Sequence, residues 1–196
     1  MQLSFIIPHK GRFEMLIETI ESIINQQTSD HSFEVIVVSQ TDEIKDCILT
    51  TSDKLELKVF TRPVEDTISS SRNFGVEQAQ GDYLAFLDAD IYLSSNWVEQ
   101  MFSELLGSPE RIIVSAMQVC NADAPALEQI RTSLSNVEID QDVAFLPGRN
   151  LFMSKASFKK IGGFPEHLVT CEDYYFTDQA AKLGKLYYTS LANYRH

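Results

Sequence analysis

Residues 72–90 read RNFGVEQAQGDYLAFLDAD, and this stretch decides the fold of the chain. It predicts an amphipathic helix, a short turn at Gly81 and an apolar strand that stops abruptly at Asp88 and Asp90. A strand that is apolar along its whole length is buried on both faces, as in a parallel sheet. Because open α/β sheets bind ligands at the carboxyl ends of their strands, we expect a ligand beside these two carboxylates.

The spacing of Asp88 and Asp90 indicates a cation site. Side chains at i and i+2 of an extended segment point to the same side. Both carboxylates could therefore face one hard cation, and such a cation commonly holds the phosphates of a substrate. The alternative is an ordinary Asp-rich turn, since Asp is common in turns.

Apolar periodicity predicts strands and helices that alternate along the chain, which favours βαβ units and a mostly parallel sheet. The predicted strands cover residues 3–7, 33–38, 55–59, 83–87, 111–119, 143–146, 151–153 and 186–189. The predicted helices cover residues 16–24, 43–49, 72–80, 97–105, 126–134 and 171–184, with a short one around residue 158. Asn96 and Glu99 have the spacing of a capping box.

Composition excludes several classes of protein. A length of 196 residues suits one domain, and a net charge of −12 argues against a nucleic-acid partner. No apolar run approaches the ~20 residues that cross a bilayer, and the chain begins directly with a predicted strand rather than a signal peptide. Three scattered cysteines without a CxxC pair fit reduced thiols. We therefore expect a cytoplasmic protein without a transmembrane segment.

The 72–90 stretch resembles the nucleotide-sugar-binding core of inverting glycosyltransferases of family 2. That family usually has Arg-Asn-x-Gly, then Ala-x-Gly-[Asp/Glu]-Tyr, an apolar strand and Asp-x-Asp. The matching residues are Arg72, Asn73, Gly75, Ala79, Gly81, Asp82, Tyr83, Asp88 and Asp90. The resemblance implies the GT-A fold, a Rossmann-like, mostly parallel sheet flanked by helices. It also implies a single domain, residues 1–196, with a nucleotide-sugar-binding half (1–119) and an acceptor-binding half (120–196).

A second segment resembles the same family. It runs through Gly162, Gly163, Phe164, Pro165 and Glu166 to Glu172, Asp173 and Gly184. In the family the Asp of the Glu-Asp pair is the general base, which falls on Asp173, with Glu172 beside the substrate. A sugar hydroxyl must lose its proton as it attacks, and direct attack opposite the leaving group inverts the anomeric carbon with one carboxylate. The alternative is an acidic first helical turn, favoured by the helix dipole.

The resemblance also implies a divalent cation, Mn²⁺ or Mg²⁺, bound by Asp90, Asp88 and His196. Imidazole suits Mn²⁺ better than Mg²⁺. A solvated chain end is the alternative interpretation of His196. Arg72 would bind a phosphate or the donor sugar, so that Arg72 and the cation together stabilise the departing nucleoside diphosphate.

Several positions depart from the family pattern. Ser39 and Gln40 replace the usual Asp-Asp after the second strand, so a contact with the nucleobase there would be uncharged. The identity of the nucleotide therefore stays open, with a UDP-sugar favoured. Pro8 and His9 follow the first strand and are predicted to lie by the base, although a solvated loop is the alternative for His9. Gln179 replaces an Arg that is common in the last helix.

The sequence thus predicts a metal-dependent, inverting transfer from a nucleoside-diphosphate sugar to a glycan or lipid-linked acceptor in surface polysaccharide or glycan synthesis. Peripheral contact with the inner face of the membrane stays open. A non-catalytic nucleotide-sugar-binding relative, a sugar nucleotidyltransferase and another Rossmann-like enzyme are the rivals. No GxGxxG motif follows the first strand, which disfavours a dinucleotide oxidoreductase.

Overall fold

A computed structural model describes residues 2–28, 31–41 and 55–196. The helix predicted at residues 43–49 lies outside the described residues. The strands are β1 (Gln2–His9), β2 (Ser32–Ser39), β3 (Leu55–Thr61), β4 (Tyr83–Leu87), β5 (Tyr92–Leu93), β6 (Arg111–Val119), β7 (Gln141–Val143), β8 (Asn150–Ser154) and β9 (Lys185–Arg195). The helices are α1 (Phe13–Ile24), α2 (Ile68–Gln78), α3 (Trp97–Gly107), α4 (Ala126–Ser135), α5 (Lys155–Ile161) and α6 (Glu172–Ala181).

The strands form one nine-stranded sheet in the order β3-β2-β1-β4-β8-β6-β9-β5, with β7 paired to β9. Six of these described strands run in one direction, namely β1, β2, β3, β4, β6 and β9, and the other three run against them. The predicted mostly parallel sheet is therefore confirmed. Strand β8 lies antiparallel between β4 and β6, which brings the chain before Asn150 to the carboxyl end of β4.

The apolar run of β4 is buried on both faces, as its composition predicts. Ala85 and Leu87 pack into one core with Trp97 of α3, and helix α1 covers the same face. Leu84 and Phe86 pack into the other core, with side chains from α2, α5 and α6. The sheet is thus a middle layer with helices on each side, and its carboxyl edge stays open for a site.

Gly75 of the Arg-Asn-x-Gly pattern allows α2 to pack closely on β1. A Cβ at this position would lie 2.5 Å from Cγ2 of Ile6. Any larger residue would therefore push α2 away from the sheet. The position of α2 matters because this helix carries Arg72 and Asn73.

The structure differs from the local predictions at three places. The strand predicted at residues 143–146 is wrong in position, because Gln141–Val143 pair with β9 and Leu146 is instead buried in the core outside any strand. Strand β5 was not predicted, since two residues carry no periodic signal. The capping box at Asn96 is not formed, because the Asn96 side chain accepts from Ser94 and donates to the carbonyl of Leu191.

Candidate active site

The predicted site residues come together at the carboxyl edge of the sheet. His9 ends β1, Ser39 ends β2 directly beside it, and Asp88 follows β4. Asp173 lies in the first turn of α6, and His196 follows β9. The parallel register of β1, β2 and β4 explains this gathering, because the carboxyl ends of parallel strands meet at one edge.

Asp90 and His196 approach each other across the end of the sheet. His196 Nε2 lies 3.5 Å from Asp90 Oδ1, while Nη2 of Arg12 lies 3.3 Å from Asp90 Oδ2. Strand β5 brings His196 close to Asp90, because it pairs antiparallel with the end of β9 and aligns Tyr92 with Arg195. Arg12, which sequence reasoning did not single out, adopts a left-handed backbone conformation with φ 50°.

Asp88 is held by Arg72, the buried arginine of α2. Arg72 is only 1% exposed, and its Nη2 donates to Asp88 Oδ1 at 2.9 Å. Its Nη1 donates to Glu172 Oε1 at 3.1 Å, and its guanidinium lies 5.0 Å from the ring centroid of Phe164. We call Arg72, Asp88 and Glu172 the Arg72 cluster.

Asp88, Asp90 and His196 all line one cavity of about 210 Å³, together with Lys10 and Arg12. Two carboxylates and an imidazole are suitable donors for a divalent cation. Within the described ranges, however, no three His, Cys, Asp or Glu side chains are gathered as a preformed metal site. One of the three predicted ligands, Asp88, is already engaged by a hydrogen bond from Arg72.

The two sequence motifs meet through Asn73. Its Nδ2 donates to the carbonyl of Phe164 at 2.9 Å and to Glu166 Oε1 at 2.8 Å, while its Oδ1 accepts from the N–H of Phe164 at 2.9 Å. Gly163 has φ 81°, and a Cβ there would lie 3.1 Å from Asn73 Oδ1, so the backbone conformation and the close approach both favour glycine. The Gly-Gly-Phe segment therefore docks on the helix that carries Arg72.

Asp173 is oriented by two backbone donors. The N–H of Gly148 donates to Oδ2 at 3.1 Å, and the N–H of Tyr174 donates to Oδ1 at 2.8 Å. A Cβ on Gly148 would lie 3.0 Å from both Arg72 Nη1 and Asp173 Cβ. Gly148 thus fits between the guanidinium of Arg72 and the predicted general base, Asp173. The sequence predicted only a turn at Gly148, because 25 residues separate it from Asp173.

A second cavity of about 430 Å³ adjoins the first, and Pro8, Lys10 and Ile68 line both. His9 lies on the wall of this second cavity and is 3% exposed. Desolvation by burial lowers the pKa of His9, so its imidazole is neutral at neutral pH. Among the described residues, its buried Nε2 has no hydrogen-bond partner. A ligand in this cavity could supply one.

Ser39 and Gln40 have different positions relative to this second cavity. Ser39 is fully buried, and its Oγ lies 3.2 Å from His9 Nδ1 and accepts from the N–H of Thr41. Gln40 lines the cavity and donates to the carbonyl of Asp66 at 2.6 Å. Asp66 also lines it, and its carboxylate accepts from Arg62 Nε at 2.7 Å. The sequence analysis missed Asp66 because a loop residue between β3 and α2 carries no periodic signal.

Comparison with known proteins agrees with this arrangement. The family described as Glycosyl transferase family 2 matches residues 4–162. The chain belongs to glycosyl transferase family 2. The match includes Arg72, Asp88 and Asp90 and ends before Asp173 and His196.

Two members of known name are similar over most of the chain. Glycosyltransferase AglE of Haloferax volcanii is 25% identical over 190 residues, which are 93% of this chain and 62% of that protein. Poly(ribitol-phosphate) beta-glucosyltransferase of Bacillus spizizenii is 24% identical over 189 residues, which are 92% of this chain and 29% of that protein. The chain therefore spans less than two thirds of the length of these relatives.

Solved structures confirm the predicted GT-A fold. S. aureus TarS 1-349 in complex with UDP superposes with a TM-score of 0.79 at 22% identity, over 100% of this chain and 60% of the 1-349 chain. The mannosyltransferase PcManGT from Pyrobaculum calidifontis, in complex with GDP-Man and Mn²⁺, gives a TM-score of 0.74 at 16% identity. The superposition covers 99% of this chain and 56% of the PcManGT chain. In the described part of the chain, no helix combines the length and hydropathy that crossing a bilayer requires.

Proposed function

We propose that the chain transfers a sugar from a nucleoside-diphosphate sugar to an acceptor hydroxyl, with inversion at the anomeric carbon. The observation that carries this proposal is the position of Asp173. Two backbone N–H groups orient this carboxylate beside the Arg72 cluster, at the same edge as Asp90 and His196. Membership of the family supplies the class of reaction.

The two adjoining cavities suit the two parts of the donor. The larger cavity would hold the nucleoside, with Pro8, His9 and Gln40 on its wall and Ser39 behind His9. The smaller cavity would hold the diphosphate, because Lys10 and Arg12 line it. A UDP-sugar is the favoured donor, since TarS was solved with UDP and with UDP-GlcNAc.

Asp90 and His196 would bind Mn²⁺ or Mg²⁺, together with Asp88 after a change in its bond to Arg72. When bound, the ion neutralises charge on the diphosphate as the bond to the sugar breaks. The Mn²⁺ in the PcManGT complex supports this assignment. Carboxylates, an imidazole and the phosphate oxygens together form a suitable ligand set.

Asp173 would accept the proton of the attacking hydroxyl. Its bonds from Gly148 and Tyr174 fix the carboxylate, and a single base is enough for direct inversion. Arg72 would act on the site through Asp88 and Glu172, which it holds in place. The predicted contact of Arg72 with a phosphate stays a prediction, and its burial favours this positioning role.

Residues 120–196 would bind the acceptor, because α6 carries Asp173 and the turn at Gly148 orients it. A glycan or a lipid-linked sugar fits the expectation from the sequence. The site of action would be the cytoplasm or the inner face of the membrane.

Calorimetric titration with UDP, GDP, dTDP and CDP, each with and without Mn²⁺, tests the donor site. We expect one nucleotide to bind, with tightening by Mn²⁺ that Asp90→Ala removes. Asp123→Ala, at an exposed position, is the matched control and should keep the metal effect. Failure of all four nucleotides to bind folded protein would contradict the proposal and favour a non-catalytic relative. Unchanged metal dependence in Asp90→Ala would place the ion elsewhere.

A further inference from the structure

Arg149 lines a third cavity that the proposed donor site does not use. This cavity, which we call the Arg149 cavity, measures about 420 Å³ and opens between α4 and the chain before β8. Leu146 and Tyr188 form its buried wall, and Leu134, Val137 and Phe145 form its exposed rim.

Among the described residues, the guanidinium of Arg149 hydrogen-bonds only neutral groups. Its Nε donates to the hydroxyl of Tyr194 at 2.9 Å, and its Nη2 donates to the Ser135 hydroxyl at 2.9 Å. Burial raises the pKa of the Tyr194 phenol, which is therefore neutral at neutral pH. No carboxylate from the described ranges lies within ion-pair distance of Arg149. Asp88 acts on it from farther away, but the Asp88 carboxylate is bound to Arg72.

Other arginines of the chain provide a contrast. Arg72 is more deeply buried and bonds two carboxylates, and Arg111 pairs with Glu104. Burying a cation without a charged partner costs free energy, so buried charges are usually paired. The N–H groups of Arg149 that neither Tyr194 nor Ser135 accepts could bind an anion in the cavity.

The rim of the Arg149 cavity continues into an exposed apolar stripe. Leu127, Ile130, Leu134 and Val137 follow the spacing of one helical face along and just beyond α4, and each is more than half exposed. A ligand would therefore meet apolar side chains outside and a cation inside. Glu138 also stands on the rim and would weaken the binding of any anion, so apolar contact must add to the charge of Arg149 for a ligand to bind.

The Arg149 cavity and the predicted base share one wall. Residues 145–149 form a side of the cavity, and within them the N–H of Gly148 bonds Asp173. The carbonyl of Arg149 accepts from the N–H of Asp88 at 3.2 Å. A molecule anchored at Arg149 would therefore lie across this wall from the proposed reaction site.

We propose that the Arg149 cavity binds the phosphate of an amphiphilic phosphate ester, with its apolar body along Leu134 and Val137. This ligand would be an acceptor or part of one, and that role rests on the proposed function. The binding itself rests on the charge of Arg149 and the apolar rim.

Calorimetry without nucleotide or metal, using n-hexyl phosphate, inorganic phosphate and 1-hexanol as probes, tests the binding. We expect hexyl phosphate to bind at least about tenfold more tightly than either other probe, because only it satisfies both parts of the cavity. Arg149→Met should lose at least about tenfold of that affinity. Arg12→Met should leave it unchanged, because Arg12 lines the proposed diphosphate cavity instead.

A second variant guards against a folding defect in Arg149→Met. Leu134 is 68% exposed, so Leu134→Glu should fold normally while its carboxylate repels the ligand at the rim. Leu127→Glu is the matched control, on the same helix but outside the Arg149 cavity, and should bind as wild type. Affinity that survives either Arg149→Met or Leu134→Glu, or that Arg12→Met removes, would overturn the proposal. The hexyl phosphate assay contains no nucleotide, so its result is independent of the nucleotide titration. Failure of that titration would contradict the proposed function and not the binding at Arg149.

Discussion

The sheet buries a carboxylate near its amino edge and a guanidinium at its carboxyl edge. Glu34 of β2 is fully buried, and its Oε1 accepts from Ser4 at 2.5 Å, from the N–H of Gln80 at 2.5 Å and from the N–H of Gly81 at 3.2 Å. Its Oε2 accepts from Lys58 Nζ at 2.8 Å. We call these residues the Glu34 cluster. Arg72 is as deeply buried as Glu34, but its partners Asp88 and Glu172 are partly exposed and belong to the candidate site.

The difference lies in how completely the buried charge is satisfied. Burial alone would raise the pKa of Glu34, but hydrogen bonds from Lys58, Ser4 and the Gln80 N–H outweigh it and lower that pKa. The buried Nε of Arg72 has no partner among the described residues, and Asp88 stands on a cavity wall. The fully hydrogen-bonded charge of Glu34 therefore stabilises the fold. The incompletely hydrogen-bonded charge of Arg72, beside a cavity, is typical of a functional site.

The largest effect that separates the two clusters is expected in stability. Glu34→Ala should lower the free energy of unfolding by about 3–5 kcal/mol, because it leaves Lys58 and two backbone donors without their acceptor. Urea denaturation measures this loss. Glu56→Ala is the matched control, since Glu56 also pairs with Lys58 but is exposed, and should cost under about 1 kcal/mol. Equal losses in both variants would show that the Glu34 cluster does not hold the fold.

The next effect concerns activity. Arg72→Lys keeps the charge but loses the fork that bonds Asp88 and Glu172 together. We expect turnover to fall by about 10²–10³-fold with little change in nucleotide affinity, because the site residues lose their positions. Steady-state kinetics with the donor found by titration gives the two values separately. A loss confined to stability would make the Arg72 cluster a second structural centre and remove the contrast with Glu34.

A smaller effect is expected on stability at acid pH, where Glu34 becomes protonated. Because the folded-state pKa of Glu34 is lowered from 4.5, its contribution to stability is fully present above that value and is lost as pH falls through the folded-state pKa. Urea midpoints of wild type and Glu34→Gln should therefore differ at neutral pH and should begin to converge as the pH falls below 4.5. A difference that stays constant from neutral to acid pH would contradict the assigned charge of Glu34.

The elements that the sequence predicted best are those with a strong local signal. The continuous apolar run of β4 follows from burial on two faces, and the acidic residues directly after it lie at the ligand edge by topology. The approach of His196 to Asp90 was implied by the family resemblance alone. In the structure it depends on the two-residue strand β5, which leaves no periodic trace in the sequence.

Contacts between distant residues were beyond local patterns. Glu34 is a carboxylate inside an apolar strand, and its partners lie 24 to 47 residues away along the chain. The sequence predicted helix α4 and its extent, but not that its apolar face stays exposed beside Arg149. Periodicity identifies an apolar face, whereas only tertiary packing decides what covers it.

The central claim, that Asp173 deprotonates the nucleophile of an inverting transfer, can be tested without knowing the acceptor. Proton NMR would follow the transfer of glucose from UDP-α-glucose to water, and of N-acetylglucosamine from its UDP donor, with Mn²⁺ present. We predict that the β-anomer of the released sugar appears first. Asp173→Asn should slow its release by about 10²–10⁴-fold while nucleotide binding is retained. Asp178→Asn, on the exposed face of the same helix, should react as wild type. Initial release of the α-anomer, or an unchanged rate in Asp173→Asn, would contradict the account.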